Sequence, residues 1–174
     1  MSRSLTTFLL ACVLLVWSGT AQAQSATATG NVAVTVGAEA SIQVADVSLI
    51  EPGTNFGAYA GDTTFTYKIR TGATGASIVL KVTTDFAGSG GPSVGTPPTA
   101  GDTLTYTCAV SSPANACSPQ TASTSGTTPV STFSANAHSA IAGNTGTVHW
   151  TLVNDPVYAV GTYTAVVTYT ISAT

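Results

Sequence analysis

The chain has 174 residues, of which only 6% are charged, with 4 Lys and Arg against 7 Asp and Glu for a net charge of -3. Beyond Arg3 the cations are Lys68, Arg70 and Lys81, which do not cluster, so a phosphate backbone finds no electrostatic footprint and nucleic acid is excluded as a partner. The two histidines, His138 and His149, lie in no nucleophile or metal-binding motif, and the scattered carboxylates offer no acid/base pair, so a non-catalytic protein without metal or cofactor is expected.

At the N-terminus, Arg3 precedes an apolar run from Phe8 to Trp17, and Ala21-Gln22-Ala23 has the small-x-small form of a cleavage site. The run is shorter than the ~20 residues a membrane-spanning helix needs. Residues 1–23 are therefore expected to be a cleaved signal peptide, and the mature chain to be secreted, extracellular or at a bacterial cell surface, with no membrane span. Cys12 lies inside the apolar run instead of closing it, which disfavours a lipid-anchored reading.

From Ala26 to Val44 the even positions are apolar or Gly, among them Ala28, Gly30, Val32, Val34, Val36 and Ile42, and the odd ones mostly polar. Period two specifies an extended strand. At ~3.3 Å per residue the run would span roughly 60 Å, about three ordinary strands. It must therefore break, most plausibly at Gly37, or its first half must pair elsewhere. Residues 24–37 are accordingly read as an N-terminal β arm and 38–174 as the folded domain.

Further strands follow at short spacing. Ser41 to Ile50 continues with its apolar phase slipping to Val47 and Leu49, as a bulge would produce. Phe65, Tyr67 and Ile69 alternate with polar residues, then Ile78, Leu80 and Val82, and then, after a Gly/Pro-rich loop at 87–101, Leu104, Tyr106, Cys108 and Val110. Ser111 to Pro129 reads as a long loop, Val130 to Phe133 as a short edge strand, and Val148, Trp150 and Leu152 as a central one. Tyr163, Ala165, Val167, Tyr169 and Ile171 form the last. About seven or eight strands in this pattern predict an all-β, antiparallel sandwich of immunoglobulin-like or jelly-roll layout. Lys68 and Lys81 fall on polar phases, which speaks against a buried isopeptide cross-link.

Cys108 and Cys117 flank eight residues without a nearby His or carboxylate, and in an exported chain they are expected to form a disulfide. Ala60-Gly61-Asp62-Thr63 is echoed by Ala100-Gly101-Asp102-Thr103. The echo reads as one turn-and-strand entry used twice, since no D-x-D-x-D spacing marks Asp62 or Asp102 as calcium ligands.

The closing segment, Gly161-Thr162-Tyr163 followed by Val167 and Ile171, resembles the final G-x-Y-x-x-x-V-x-x-x-I strand of bacterial fimbrial subunits and spore coat protein U-like secreted proteins, although Ala173 stands where those subunits carry a penultimate Tyr. The resemblance implies an incomplete immunoglobulin-like sandwich completed by the N-terminal strand of a neighbouring subunit. Two functions remain open. One is a structural subunit of a fibre, pilus or coat whose partners are copies of itself, with Ala28, Gly30, Val32, Val34 and Val36 as the self-assembly face of a donor strand. The other is a monomeric secreted module that binds a carbohydrate or another surface ligand. For it Tyr59, Trp150 and Tyr158 are the candidate aromatics, and a carbohydrate ligand has no further support in the sequence.

Overall fold

A computed structural model describes residues 27–53 and 55–174. The leader at 1–23 and the first residues of the arm, 24–26, lie outside the described residues. The chain falls into two units, one ending at Val34 and the other running Thr35–Thr174. In the first, Thr27 to Val34 forms no regular secondary structure and every residue is exposed.

The second unit is all-β, with nine strands among the described residues: β1 (Glu39–Val44), β2 (Tyr59–Arg70), β3 (Ser77–Thr84), β4 (Leu104–Val110), β5 (Ala114–Ala116), β6 (Gln120–Thr121), β7 (Thr128–Phe133), β8 (Asn144–Leu152) and β9 (Val166–Ser172). They make two antiparallel sheets, one ordered β1-β2-β8-β4-β6 and the other β5-β7-β3-β9.

The predicted alternations set the inner faces. Phe65, Tyr67 and Ile69 of β2, Leu104 and Tyr106 of β4, and Val148, Trp150 and Leu152 of β8 face Ile78, Leu80 and Val82 of β3 and Val130 and Phe133 of β7, all buried in one apolar cluster. Each such aliphatic or Phe side chain stabilises the fold by roughly 1.5 to 3 kcal/mol against remaining exposed. The buried phenols are satisfied where they meet the backbone: Tyr67 donates to the Ser111 carbonyl at 2.6 Å and Tyr106 to that of Pro129 at 2.9 Å.

The structure corrects the sequence reading at five places. Of the described part of this alternation, only Glu39–Val44 is a strand; Thr27 to Ala38, including Val36, has no ladder partner among the described residues. Alternation predicts which side chains share a face, but a strand also requires a neighbour for its backbone N–H and C=O groups. The bulge expected between Ser41 and Ile50 is instead an excursion. After Ala45 the chain leaves the ladder and returns at the Ile50–Ala60 bridge. In between it crosses Gly61 so closely that a Cβ there would meet the Ser48 carbonyl at 2.8 Å and Leu49 Cδ2 at 2.9 Å.

Third, there are nine strands, not seven or eight, because the Ser111–Pro129 loop contains β5 and β6, too short for a period to show. Fourth, β7 is not an edge strand. It lies between β5 and β3, and its Pro129 is accommodated at a register shift in the β3 pairing, where a missing N–H is tolerated. Tyr163 also precedes the last strand and does not belong to it. Its ring lies over Gly91, and its hydroxyl donates to the Ala159 carbonyl at 2.7 Å.

Candidate self-assembly edge

The final strand has β-forming residues throughout, VVTYTIS, and no charge, Pro or Gly. On one side it is bound to β3 over its whole length, from Ser77–Ser172 to Thr84–Val166. Hydroxyls reinforce this side on the outer face: Thr83 and Thr168 lie 3.0 Å apart and Ser77 and Ser172 3.3 Å apart. Beyond Ser172 the Thr174 carbonyl accepts from the amides of Gly72 and Ala73 at 2.8 and 3.1 Å. On the other side no described strand pairs with β9.

Natural sheets usually blunt such an edge with a Lys, a Pro, a bulge or a covering loop, because its free N–H and C=O groups template further pairing. Here the strand itself carries neither Lys nor Pro. Burial reflects the missing neighbour. Ile78, Leu80 and Val82, the inner residues of β3, are at most 1% exposed, whereas Val167, Tyr169 and Ile171 on β9 are only half-buried and Val166 is 50% exposed. In the opposite sheet β1 is likewise an edge, bound to β2 alone among the described strands, with Ala40 and Ile42 half-buried. These two edges lie against each other across the sandwich, so the partly covered apolar residues of both border one side of the domain.

Of the predicted donor-strand residues, Ala28, Gly30, Val32 and Val34 belong to the first unit and Val36 to the second, and none is in a strand. All five are exposed, Val32 completely. The other predicted pair is formed as expected. Cys108 and Cys117 are disulfide-bonded with their Cα atoms 5.5 Å apart. Cys108 lies in β4 and Cys117 directly after β5, so the bridge ties the two sheets together where the chain passes from one to the other.

The remaining candidates do not converge. Trp150 is buried, donates through Nε1 to the Thr63 hydroxyl at 2.9 Å and is no binding platform. His149 lies on the outer face, 2.8 Å from Asp62, while His138 bridges the backbone at Arg70. Asp62 and Asp102, the echoed pair, are separated: Asp62 is exposed beside His149 and Asp102 is buried. Among the described residues no three His, Cys, Asp or Glu side chains come together, and no helix is long and apolar enough to cross a membrane. A shallow, open depression bordered by Ser41, Lys68, Arg70 and the loop at 138–141 offers no enclosed ligand site.

The open side of this edge was not singled out from the sequence. Val167, Tyr169 and Ile171 read there as an ordinary last strand, and the one available signal was the absence of charge from the whole segment. Comparison with protein-family models, with curated proteins and with solved structures finds no match for this chain.

Proposed function

We propose that this chain is a non-catalytic structural subunit of an extracellular fibre, pilus or coat, in which the N-terminal arm of one copy pairs with the open edge of β9 in the next. The observation that carries this reading is the coexistence of two unpartnered pieces. One is an uncharged seven-residue edge strand with a half-buried inner face; the other is a segment of alternating apolar residues, Ala28 to Val36, with no pairing among the described residues of its own chain.

The strand order supports an immunoglobulin-like layout. β1-β2-β8-β4 follows the order A-B-E-D of such domains, and β9-β3 follows F-C, which leaves the position of strand G, beside F, without an occupant. A donor strand in that position would alternate inward and outward like any other. Burying Val32, Val34 and Val36 would contribute roughly 1.5 to 3 kcal/mol each before ordering costs. Secretion through the leader and the resemblance of the closing strand to fimbrial subunits point the same way.

Deletion of the arm through Val36 tests the reading. The shortened chain should be monomeric, retain its β-sheet signal and bind a synthetic peptide of residues 25–37, with the peptide restoring solubility and thermal stability. If deletion unfolds the domain and the intact chain is a stable monomer, the arm is an intramolecular strand. The monomeric binding module then becomes the better account.

A further inference from the structure

Exposed apolar side chains and charges are both sorted between the two ends of the sandwich. β2 begins at Tyr59, β8 ends at Leu152 and β4 begins at Leu104, and these three lie side by side at one end. β3 starts at the opposite end, directly after the turn that follows Arg70, so it finishes at this one, where β9 begins opposite Thr84. The segments at 45–58, 85–103 and 153–165 connect strands here. They carry five carboxylates, Asp46, Glu51, Asp85, Asp102 and Asp155, and neither Lys nor Arg. All but Asp102 are at least partly exposed.

The same segments carry Val47, Ile50, Phe56, Val153, Val157 and Val160, each 38% exposed or more. Single apolar residues on a surface need no explanation, but a concentration of them at one end marks a contact. Phe56 is held outward against its own preference, with φ at 55°, a left-handed conformation that bulky side chains rarely adopt. The Glu51 carboxylate accepts from the following amide, Gly57, at 3.0 Å and fixes this loop.

At the other end the charge is reversed. Lys68 and Arg70 lie at the close of β2, and His138 bridges to Arg70. The acidic side chain beside them, Glu39, is paired with Arg70 at 3.0 Å, while Lys68 has no ion pair among the described residues. These residues border the open depression, together with Ile141, which is 96% exposed. Arg70 Nε also donates to the Gly37 carbonyl at 2.6 Å, so the arm joins the domain at this basic end.

We propose, on the reading that copies assemble through the arm, that the acidic, apolar end of one copy docks on the basic depression of the next. The depression is too open to enclose a small molecule and accepts loops, and Phe56 and its apolar neighbours are covered there against Ile141. Docking of two acidic ends on each other would set like charges face to face. Because the two surfaces differ, the contact is heterologous and repeats without closing, as a filament requires. It places the first residues of β9, at the acidic end of one copy, beside the point where the arm of the next begins. Docking supplies the alignment and the arm supplies the pairing.

Carbodiimide coupling, which joins a carboxylate to a lysine amine, tests the contact in the assembled full chain, with isotope-labelled and unlabelled protein mixed so that mass spectrometry recognises links between copies. The expected link runs from Lys68 to Asp46, Glu51 or Asp155 of another copy, with no comparable yield from Lys81 on the outer face of β3. Phe56→Asn introduces a residue that tolerates the left-handed region. It should weaken assembly by roughly ten-fold. The thermal midpoint, read in a Val34→Asp background that keeps the chain monomeric, should be unchanged or higher, which a Phe56 needed for its own fold would not allow. Multimers without links from Lys68 between copies, or Phe56→Asn assembling like the native protein, would overturn this contact and leave the pairing of the arm standing. A chain that never associates and gives no link between copies would overturn both.

Discussion

Replacing Trp150 tests which way the central strand faces. Trp150 lies in the middle strand of the five-stranded sheet, 4% exposed, with its ring centroid 5.1 Å from that of Tyr106. Its Nε1 donates at 2.9 Å to Thr63, which is itself 3% exposed. Trp150→Ala removes the largest side chain of the core and leaves a cavity, at a cost of about 3 to 5 kcal/mol. The Thr63 hydroxyl also loses its donor, which places the total near the top of that range. Trp150→Phe keeps most of the ring and loses the hydrogen bond, for about 1 to 2 kcal/mol. His149, one residue earlier and on the opposite face, pairs with Asp62 at 2.8 Å, but both side chains are largely solvated, so His149→Ala should change stability by about 0.5 kcal/mol or less. Urea unfolding followed by far-ultraviolet circular dichroism, with equal m-values, should rank the variants in that order. A His149→Ala cost equal to or above that of Trp150→Ala would refute the assignment of inner and outer faces on β8 and, with it, the core.

Reduction of Cys108–Cys117 should lower stability by about 2 to 3 kcal/mol, the value for closing so short a loop, while the sheet spectrum persists; two alkylatable thiols in unreduced, denatured protein would contradict the bridge. Asp85 organises the loop after β3. Partial burial pushes its pKa up, but hydrogen bonds from Ser93, Val94, Gly95 and Phe86 outweigh this and hold it below the ordinary 3.8. Its contribution is therefore complete above the unfolded-state value and lost as pH falls through the depressed folded one. The amide resonances of Val94 and Gly95 should shift only at pH values below the ordinary carboxylate range, and should already be displaced at neutral pH in Asp85→Asn; no shift in either experiment would show that the carboxylate does not order the loop. Gly146 lies directly under the Phe65 ring, so Gly146→Ala should force the ring aside and cost about 1 to 3 kcal/mol, whereas a neutral result in urea unfolding would place the ring elsewhere.

The long strands were legible in the sequence because each buries one face only. β2, β3, β4 and β8 have inner residues at every second position and mostly polar ones between them, and period two then has no competing explanation. The disulfide was legible from two cysteines and an expected oxidising compartment. β5 and β6 were not, since two or three residues cannot display a period. The sheet position of β7 was misread because Val130 to Phe133 is short and follows a segment read as loop, while its second neighbour, β5, is too short to show in the sequence. The arm illustrates a different limit: side-chain alternation reports which residues need a shared apolar surface and is silent on which molecule supplies it. Leu104 and Leu152, forty-eight positions apart, lie opposite one another only because β4 and β8 are neighbours in register, a long-range fact that no local spacing encodes.

The central claim is that the arm of one copy completes the sheet edge of another, and sedimentation of the purified protein over a wide concentration range tests it most directly, with Val34→Asp run in parallel. The intact protein should sediment as multimers or filaments. Val34→Asp, which places a charge on a side chain that must be buried in the neighbour, should sediment as a monomer with an unchanged circular dichroism spectrum. A single monomeric species at every concentration for both proteins would contradict the account.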